Sequence, residues 1–187
     1  GRATPMNLVA GPKVMAYVLS HSKTQMIFVE DSARDLIDQA LEDAERHIET
    51  YRLDPETGVD LPIDQAKLPN VSPQDPGLLM YTSGTTGNRK GVILSHLNLI
   101  AAGSNVVNAH QITGEDQGLC VLPIYHINGL CVTVMGSMVS ASGLVIPYRF
   151  SNQKFWQQVY DHDCSWFSAV PTLFSYILND DRTPPLN

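Results

Sequence analysis

Apolar positions along this chain come in short blocks, and their spacing alternates between the period of a helix and that of a strand. Pro12 precedes the run 13–20, which predicts a short helix opened by proline in its first turn, and 24–30 predicts a buried strand. The clearest helix follows over 32–48. Ser32 with Asp35 three positions on has the form of a capping box, and Ala33, Leu36, Ile37, Ala40, Leu41, Ala44 and Ile48 share one face at helical spacing. The opposite face, with Asp38, Glu42, Asp43 and Glu45, reads as solvated rather than metal-binding. From 54 to 76 the chain is polar and repeatedly broken by proline, the pattern of an exposed connector.

Beyond it, 77–81 and 92–94 predict two strands, and Ser95 is placed to cap a helix running to about His110, with His96 and Asn98 as helix-start residues. The rest predicts a strand at 119–122, a buried helix at 130–139, a strand at 144–147, a helix at 152–162, a strand at 165–170 and a helix opened by Pro171. Strands alternating with helices through short links imply an α/β fold with a mostly parallel sheet, helices on both faces and right-handed crossovers. The expected organisation is an α/β unit over 1–53, the connector over 54–76, and a second α/β unit over 77–187, the two units being parts of one larger domain.

Composition narrows the chemistry. With 43% hydrophobic and 17% charged residues the chain is globular, and a net charge of −7 disfavours a nucleic-acid surface. Cys120, Cys131 and Cys164 are odd in number and lie in apolar runs, which reads as reduced core thiols and a cytoplasmic location. The stretch 117–148 lacks Asp, Glu, Lys and Arg, but Pro123, His126, Asn128, Gly129 and Gly136 interrupt it, so a membrane span is not expected. His21, His47, His110 and His162 have no evident ligand partner, and no metal site is assigned.

The densest chemical signal lies between the two strands at 77–81 and 92–94. Thr82, Ser83, Gly84, Thr85, Thr86, Gly87, Asn88, Arg89, Lys90 and Gly91 combine hydroxyl donors, glycines and two cations, and no other Asp, Glu, Lys or Arg occurs between Asp75 and Glu115. Such a loop suits a polyphosphate: backbone N–H groups and hydroxyls donate, glycines admit close approach, and Lys90 supplies charge. It is not a Walker A loop, because Arg89 stands where the second glycine should be and Gly91 follows Lys90. It also joins strand to strand, so no helix dipole contributes. For Thr82, a strand hydroxyl bonded to backbone is an equally open reading.

In its order of residues the loop resembles the phosphate-binding signature of the adenylate-forming superfamily, which includes acyl-CoA synthetases, luciferases and peptide-synthetase adenylation domains. Ser83, Gly84, Thr85, Thr86, Gly87, Lys90 and Gly91 match the signature, and Arg89 replaces a frequent proline. Residues 122–130 (Leu-Pro-Ile-Tyr-His-Ile-Asn-Gly-Leu) resemble the family's second signature in its CoA-ligase form, and 168–174 resemble its acyl-pocket turn. The resemblance implies a partial N-terminal domain of that fold, in an enzyme that joins a carboxylic acid to ATP as an acyl-adenylate and then passes the acyl group to coenzyme A. It further implies that Thr82, Ser83, Gly84, Thr85, Thr86, Gly87 and Lys90 contact phosphate, and that Lys90 and His126 are catalytic.

His126, Asn128, Gly129, Val170, Pro171 and Phe174 would lie at the acyl site. Without the resemblance, His126 reads as a hydrogen-bonded structural histidine, Gly129 as a helix-start turn, and Val170, Pro171 and Phe174 as ordinary packing residues. The family's magnesium-binding glutamate, ribose-binding aspartate and catalytic lysine of a mobile C-terminal domain are expected outside this chain, in the remainder of its polypeptide. By itself the chain is therefore expected to be inactive. Two alternatives remain open: a noncatalytic nucleotide-binding or interaction module, and an adenylation domain that loads a carrier protein.

Overall fold

The computed structural model describes residues 1–59, 69–82 and 89–180. It divides into two compact units, Gly1–Ile93 and Leu94–Asn187. The first begins with helix α1 (Pro12–His21), strand β1 (Met26–Val29), helix α2 (Arg34–Ala44), and strands β2 (Glu49–Asp54) and β3 (Gly58–Val59). Strand β1 pairs with β2 in parallel and β2 with β3 antiparallel. One core joins α1 and α2 to this sheet through Met15, Leu19, Val29, Ile37, Ala40 and Ala44, so the helical apolar stripes do what their spacing predicts.

Three expectations change here. The helix predicted over 32–48 is shorter: a 3-10 turn at Asp31–Ala33 precedes α2, and Ala33 rather than Ser32 is the N-cap, with no side-chain cap bond. The carboxylate of Asp31 is engaged instead by Arg52 of β2, at 2.8 Å, which ties the entry of the helix to the sheet. At the other end Glu45 adopts φ +50 and stops the helix, and Ile48, although buried as expected, reaches the core as the lead into β2. Strand β1 is not buried on both sides. Ile27 and Val29 face the core, while Met26 and Phe28 are exposed, the latter stacked on Tyr51 across the parallel pair. Strands β2 and β3 carry few apolar residues and left no clear signal in the pattern.

Strands β4 (Pro76–Thr82) and β5 (Lys90–Ser95) pair with each other, as the two apolar runs around the loop predict. Ala3 joins β4 from the chain start, receiving the Leu79 amide at 2.8 Å and donating to the Gly77 carbonyl at 3.0 Å.

In the second unit, helix α3 (His96–His110) starts at Ser95 through a full capping box with Asn98, the helix-start chemistry expected there. Strand β6 (Gln117–Leu119) leads to a π-helical segment, Asn128–Val134, that continues as α4 (Met135–Ser140). Strand β7 (Gly143–Val145), helix α5 (Asn152–Asp161), strand β8 (Trp166–Phe167) and helix α6 (Pro171–Leu178) complete it. The strands are shorter than predicted, β6 ends at Leu119 where the strand predicted over 119–122 begins, and the helix expected over 130–139 opens with π rather than α winding. The sheet order is β7-β6-β8, all parallel.

Helices cover both faces of this sheet. On one, Leu119, Val121, Phe155 and Ile177 form a core with Trp156, Phe167 and Leu173 around it. On the other, α4 approaches so closely that a Cβ at Gly118 would lie 2.9 Å from Ser137 Oγ, with the Trp166 ring 3.1 Å away. Helix α3 lies against the same layer at Gly103, where a Cβ would meet the Met135 carbonyl oxygen at 2.5 Å. Trp156 and Trp166 are thus packing aromatics, as expected of both.

Asp116 gathers the amino ends of the three strands. It accepts from the Ser165 hydroxyl at 2.8 Å and the Thr113 amide at 2.7 Å, while its own carbonyl accepts from the Gly143 amide. The Thr113 amide, the Ser165 hydroxyl and the Thr113 hydroxyl hold the carboxyl below the usual carboxylate range. A depressed native value contributes stability above the unfolded-state pKa, roughly pH 4, and that contribution disappears as pH falls through the native value. In Asp116→Asn the acid-side fall of stability is expected to be shallower than in the parent, measured by urea unfolding between neutral and acid pH. Truncating the central side chain of the second unit, Phe155→Ala, is expected to cost about 3–5 kcal/mol in the same assay, since Phe155 is 1% exposed.

Candidate functional site

Thr82 is the last residue of β4 and Lys90 the first of β5, so both stand at the mouth of the loop between the strands, and both are exposed. Ser83, Gly84, Thr85, Thr86 and Gly87 lie outside the described residues. What the structure supplies is the stem. The Tyr81 ring lies beside Gly91, where a Cβ would sit 3.5 Å from the ring and 3.0 Å from Leu79 Cδ1. A side chain at Gly91 would push on both neighbours, which is a packing reason for the last glycine of the motif. Tyr81 shares a 2.7 Å hydrogen bond with His21 Nδ1, and the Tyr17 hydroxyl donates to the Arg89 carbonyl at 3.0 Å. Burial, then the neighbouring Tyr17, pushes the Tyr81 phenol up, so it remains protonated at neutral pH. No spacing in the sequence points to Tyr17 or His21, because they reach the stem from about 60 to 70 positions away.

The remaining candidates belong to the second unit and sit at the carboxyl ends of two neighbouring parallel strands. From β6 the chain passes through α4 to β7 on one side. It then returns through α5 to β8 on the other, so the strand order reverses at β6. The loops leaving β6 and β8 head for opposite faces, and the crevice between them is where open α/β sheets bind ligands. Residues 122–130 follow β6, and 168–174 follow β8.

The first of these loops folds back on itself. The His126 amide donates to the Pro123 carbonyl and the Leu130 amide to the His126 carbonyl, at 3.0 and 3.1 Å. Gly129 sits so close to the loop's start that a Cβ would lie 2.5 Å from the Pro123 oxygen and 2.7 Å from that of Leu122. The close approach at Gly129 is therefore to the loop's own backbone. Beneath it the Cys120 thiol donates to the Leu122 carbonyl at 3.4 Å and reaches the Gly129 carbonyl at 3.8 Å. Burial raises its pKa and keeps it a neutral thiol, so Cys120 is a brace and not a nucleophile.

His126 is exposed at the tip, its ring 4.7 Å from that of Tyr125. Asn128 Oδ1 accepts a 2.7 Å hydrogen bond from the Ser168 hydroxyl, which joins the β6 loop to the β8 loop. Val170 is the N-cap of α6, Pro171 its first residue, and Phe174 lies one turn on, 42% exposed, with its ring 5.5 Å from Phe167. The structure thus joins the segments at Asn128 and Ser168 and leaves His126, Val170 and Phe174 available on their surfaces. Nothing in the sequence pattern gives a role to Ser168, the first residue of the 168–174 segment. Among the described residues no three His, Cys, Asp or Glu side chains gather as a metal site. No described helix is long and apolar enough to cross a membrane.

A family model described as AMP-binding enzyme matches residues 1–186. The chain belongs to this family of adenylate-forming enzymes. Among its relatives is the sulfoacetate–CoA ligase of Cupriavidus necator, 41% identical over 182 residues, which are 94% of this chain and 36% of that protein. The oxalate–CoA ligase of Saccharomyces cerevisiae is 32% identical over 132 residues, 66% of this chain and 24% of its own. In fold, ATP-bound MatB from Rhodopseudomonas palustris superposes with a TM-score of 0.80 at 24% identity, over 97% of this chain and 37% of MatB. The chain therefore spans less than two fifths of the length of the curated CoA ligases it matches.

Gly129→Ala is expected to destabilise the second unit by about 1–3 kcal/mol, because two carbonyl oxygens occupy the space of the new methyl; urea unfolding measures it. A double-mutant cycle of Asn128→Ala and Ser168→Ala should show a coupling of roughly 0.5–1.5 kcal/mol in the same assay. Additive effects would mean that the two loops are not joined there.

Proposed function

We propose that this chain supplies the phosphate loop and part of the acyl site of an ATP-dependent acid–thiol ligase. The observation that carries the reading is that Thr82 ends β4 and Lys90 begins the paired strand β5, so the two flank a Gly/Ser/Thr-rich stretch in a chain of the AMP-binding family. In the first half-reaction a carboxylate oxygen attacks the α-phosphorus of ATP, the bond to the bridging oxygen of pyrophosphate breaks, and an acyl-adenylate forms. Negative charge grows on the departing pyrophosphate. Lys90 and the loop's hydroxyl and amide donors stabilise it there, which is electrostatic catalysis by preplaced donors. Residues elsewhere in the polypeptide would hold a magnesium ion, which would supply further charge neutralisation on the phosphates.

In the second half-reaction a thiol, that of coenzyme A, attacks the acyl carbon and releases AMP. The crevice over β6 and β8 is the place for this chemistry: His126 orients the acyl group, Asn128 and Gly129 shape the floor, and Val170, Pro171 and Phe174 offer the apolar wall. The form of residues 122–130 and the two CoA-ligase relatives favour coenzyme A over a carrier protein as acceptor. Both relatives are named for short acids that bear a second anionic group, and this supports a small dianionic acid as the substrate of the present enzyme.

With the full polypeptide, acid-dependent exchange of pyrophosphate into ATP tests the reading. Sulfoacetate and oxalate are expected to drive exchange better than straight-chain monocarboxylates, and exchange with none of these acids would refute the activity. Lys90→Ala should weaken ATP binding by roughly ten- to a hundredfold, the loss of one charged contact. Unchanged affinity would remove Lys90 from the phosphate site.

A further inference from the structure

Tyr17 and His21 lie one turn apart on α1 and so share a face. Their rings stack with centroids 5.3 Å apart, and the Tyr81 ring meets both edge-on, at 6.3 and 5.6 Å. Each also hydrogen-bonds a different stem of the loop. His21 holds the Tyr81 hydroxyl at 2.7 Å, one residue before Thr82, and Tyr17 holds the Arg89 carbonyl at 3.0 Å, one residue before Lys90. A single helical turn therefore grips the chain immediately before each of the two residues that frame the loop mouth.

The arrangement answers a physical need. A loop that runs from strand to strand gains nothing from a helix N-terminus, so the alignment of its phosphate donors depends on where its two stems stand. Ligand binding must then bear the ordering cost unless the stems are fixed beforehand, and fixing them raises affinity without any new ligand contact. We infer that Tyr17 and His21 are positioning residues for nucleotide phosphate, acting through Tyr81 and the Arg89 backbone to hold Thr82 and Lys90 in place. The inference rests on the reading of this loop as the phosphate site. Tyr17 and His21 do not touch the nucleotide themselves; their effect is confined to ATP and does not extend to the acid.

Steady-state kinetics and thermal unfolding of variants in the full polypeptide test it. Tyr17→Phe keeps the stacked ring and removes only the hydroxyl donated to Arg89. His21→Leu removes the bond to Tyr81, and His21→Asn restores a polar amide close to the position of Nδ1. In pyrophosphate exchange, Tyr17→Phe and His21→Leu are expected to raise the KM for ATP roughly two- to tenfold each, the scale of one hydrogen bond. The KM for the acid and the unfolding midpoint stay at the parent values, and His21→Asn recovers part of the loss.

If the KM for ATP is unmoved in Tyr17→Phe and His21→Leu while Lys90→Ala raises it, the positioning role is wrong and the phosphate loop stands. Should Lys90→Ala also leave ATP binding untouched, the underlying reading of the loop fails with it. A fall in the unfolding midpoint with both KM values rising together would make the two residues ordinary packing and overturn the inference.

Discussion

The loop between β4 and β5 runs from strand to strand, so its charges are placed without the help of a helix dipole, and this constraint organises the first unit. Its two cations, Arg89 and Lys90, are isolated in a stretch otherwise free of Asp, Glu, Lys and Arg. Their position is set by the β4–β5 pair, by Gly91 leaving room for the Tyr81 ring, and by hydrogen bonds from α1 to both stems. Helix α1 is itself fixed by packing Met15 and Leu19 into the core shared with α2. Burial of apolar side chains far from the loop thus supports the geometry at its mouth.

In the second unit the corresponding constraint is close approach of backbone to backbone. Gly103, Gly118 and Gly129 each occupy a place where a methyl group would fall within 3 Å of a neighbour. The first two draw α3 and α4 onto each other and onto the sheet, and the third closes the loop that carries His126. The parallel order β7-β6-β8 then brings the ends of β6 and β8 side by side, and one hydrogen bond between Asn128 and Ser168 links the loops that leave them. A π-helical segment begins at Asn128 itself, and such windings recur at functional sites because they re-aim side chains without ending a helix.

Much of this was visible in the chain before folding. The stripe of α2, the capping box at Ser95 and Asn98, the proline-opened helices α1 and α6, and the strand–loop–strand form around Lys90 are local patterns, set by neighbours within a few positions. Local patterns misled at the 31–48 segment. There the Asp31–Arg52 pair, which spans 21 positions, outweighed the capping box that Ser32 and Asp35 offered, and Glu45 ended the helix early. The polar strands β2 and β3 were equally hidden, since their stability comes from pairing, β2 with β1 and β3 with β2, rather than from their own composition.

The sequence by itself determined which chemical groups are present and in what order: the hydroxyls, glycines and cations of the loop, the histidine of 122–130, and the family to which they point. Only the tertiary structure decided who their neighbours are. Tyr17 and His21 come to the loop stem, Cys120 becomes a brace, Gly129 packs on its own loop, and Ser168 finds Asn128. Each of these depends on contacts between residues distant along the chain, and such contacts are selected by the packing of helices and sheets as wholes, which no short pattern of residues records.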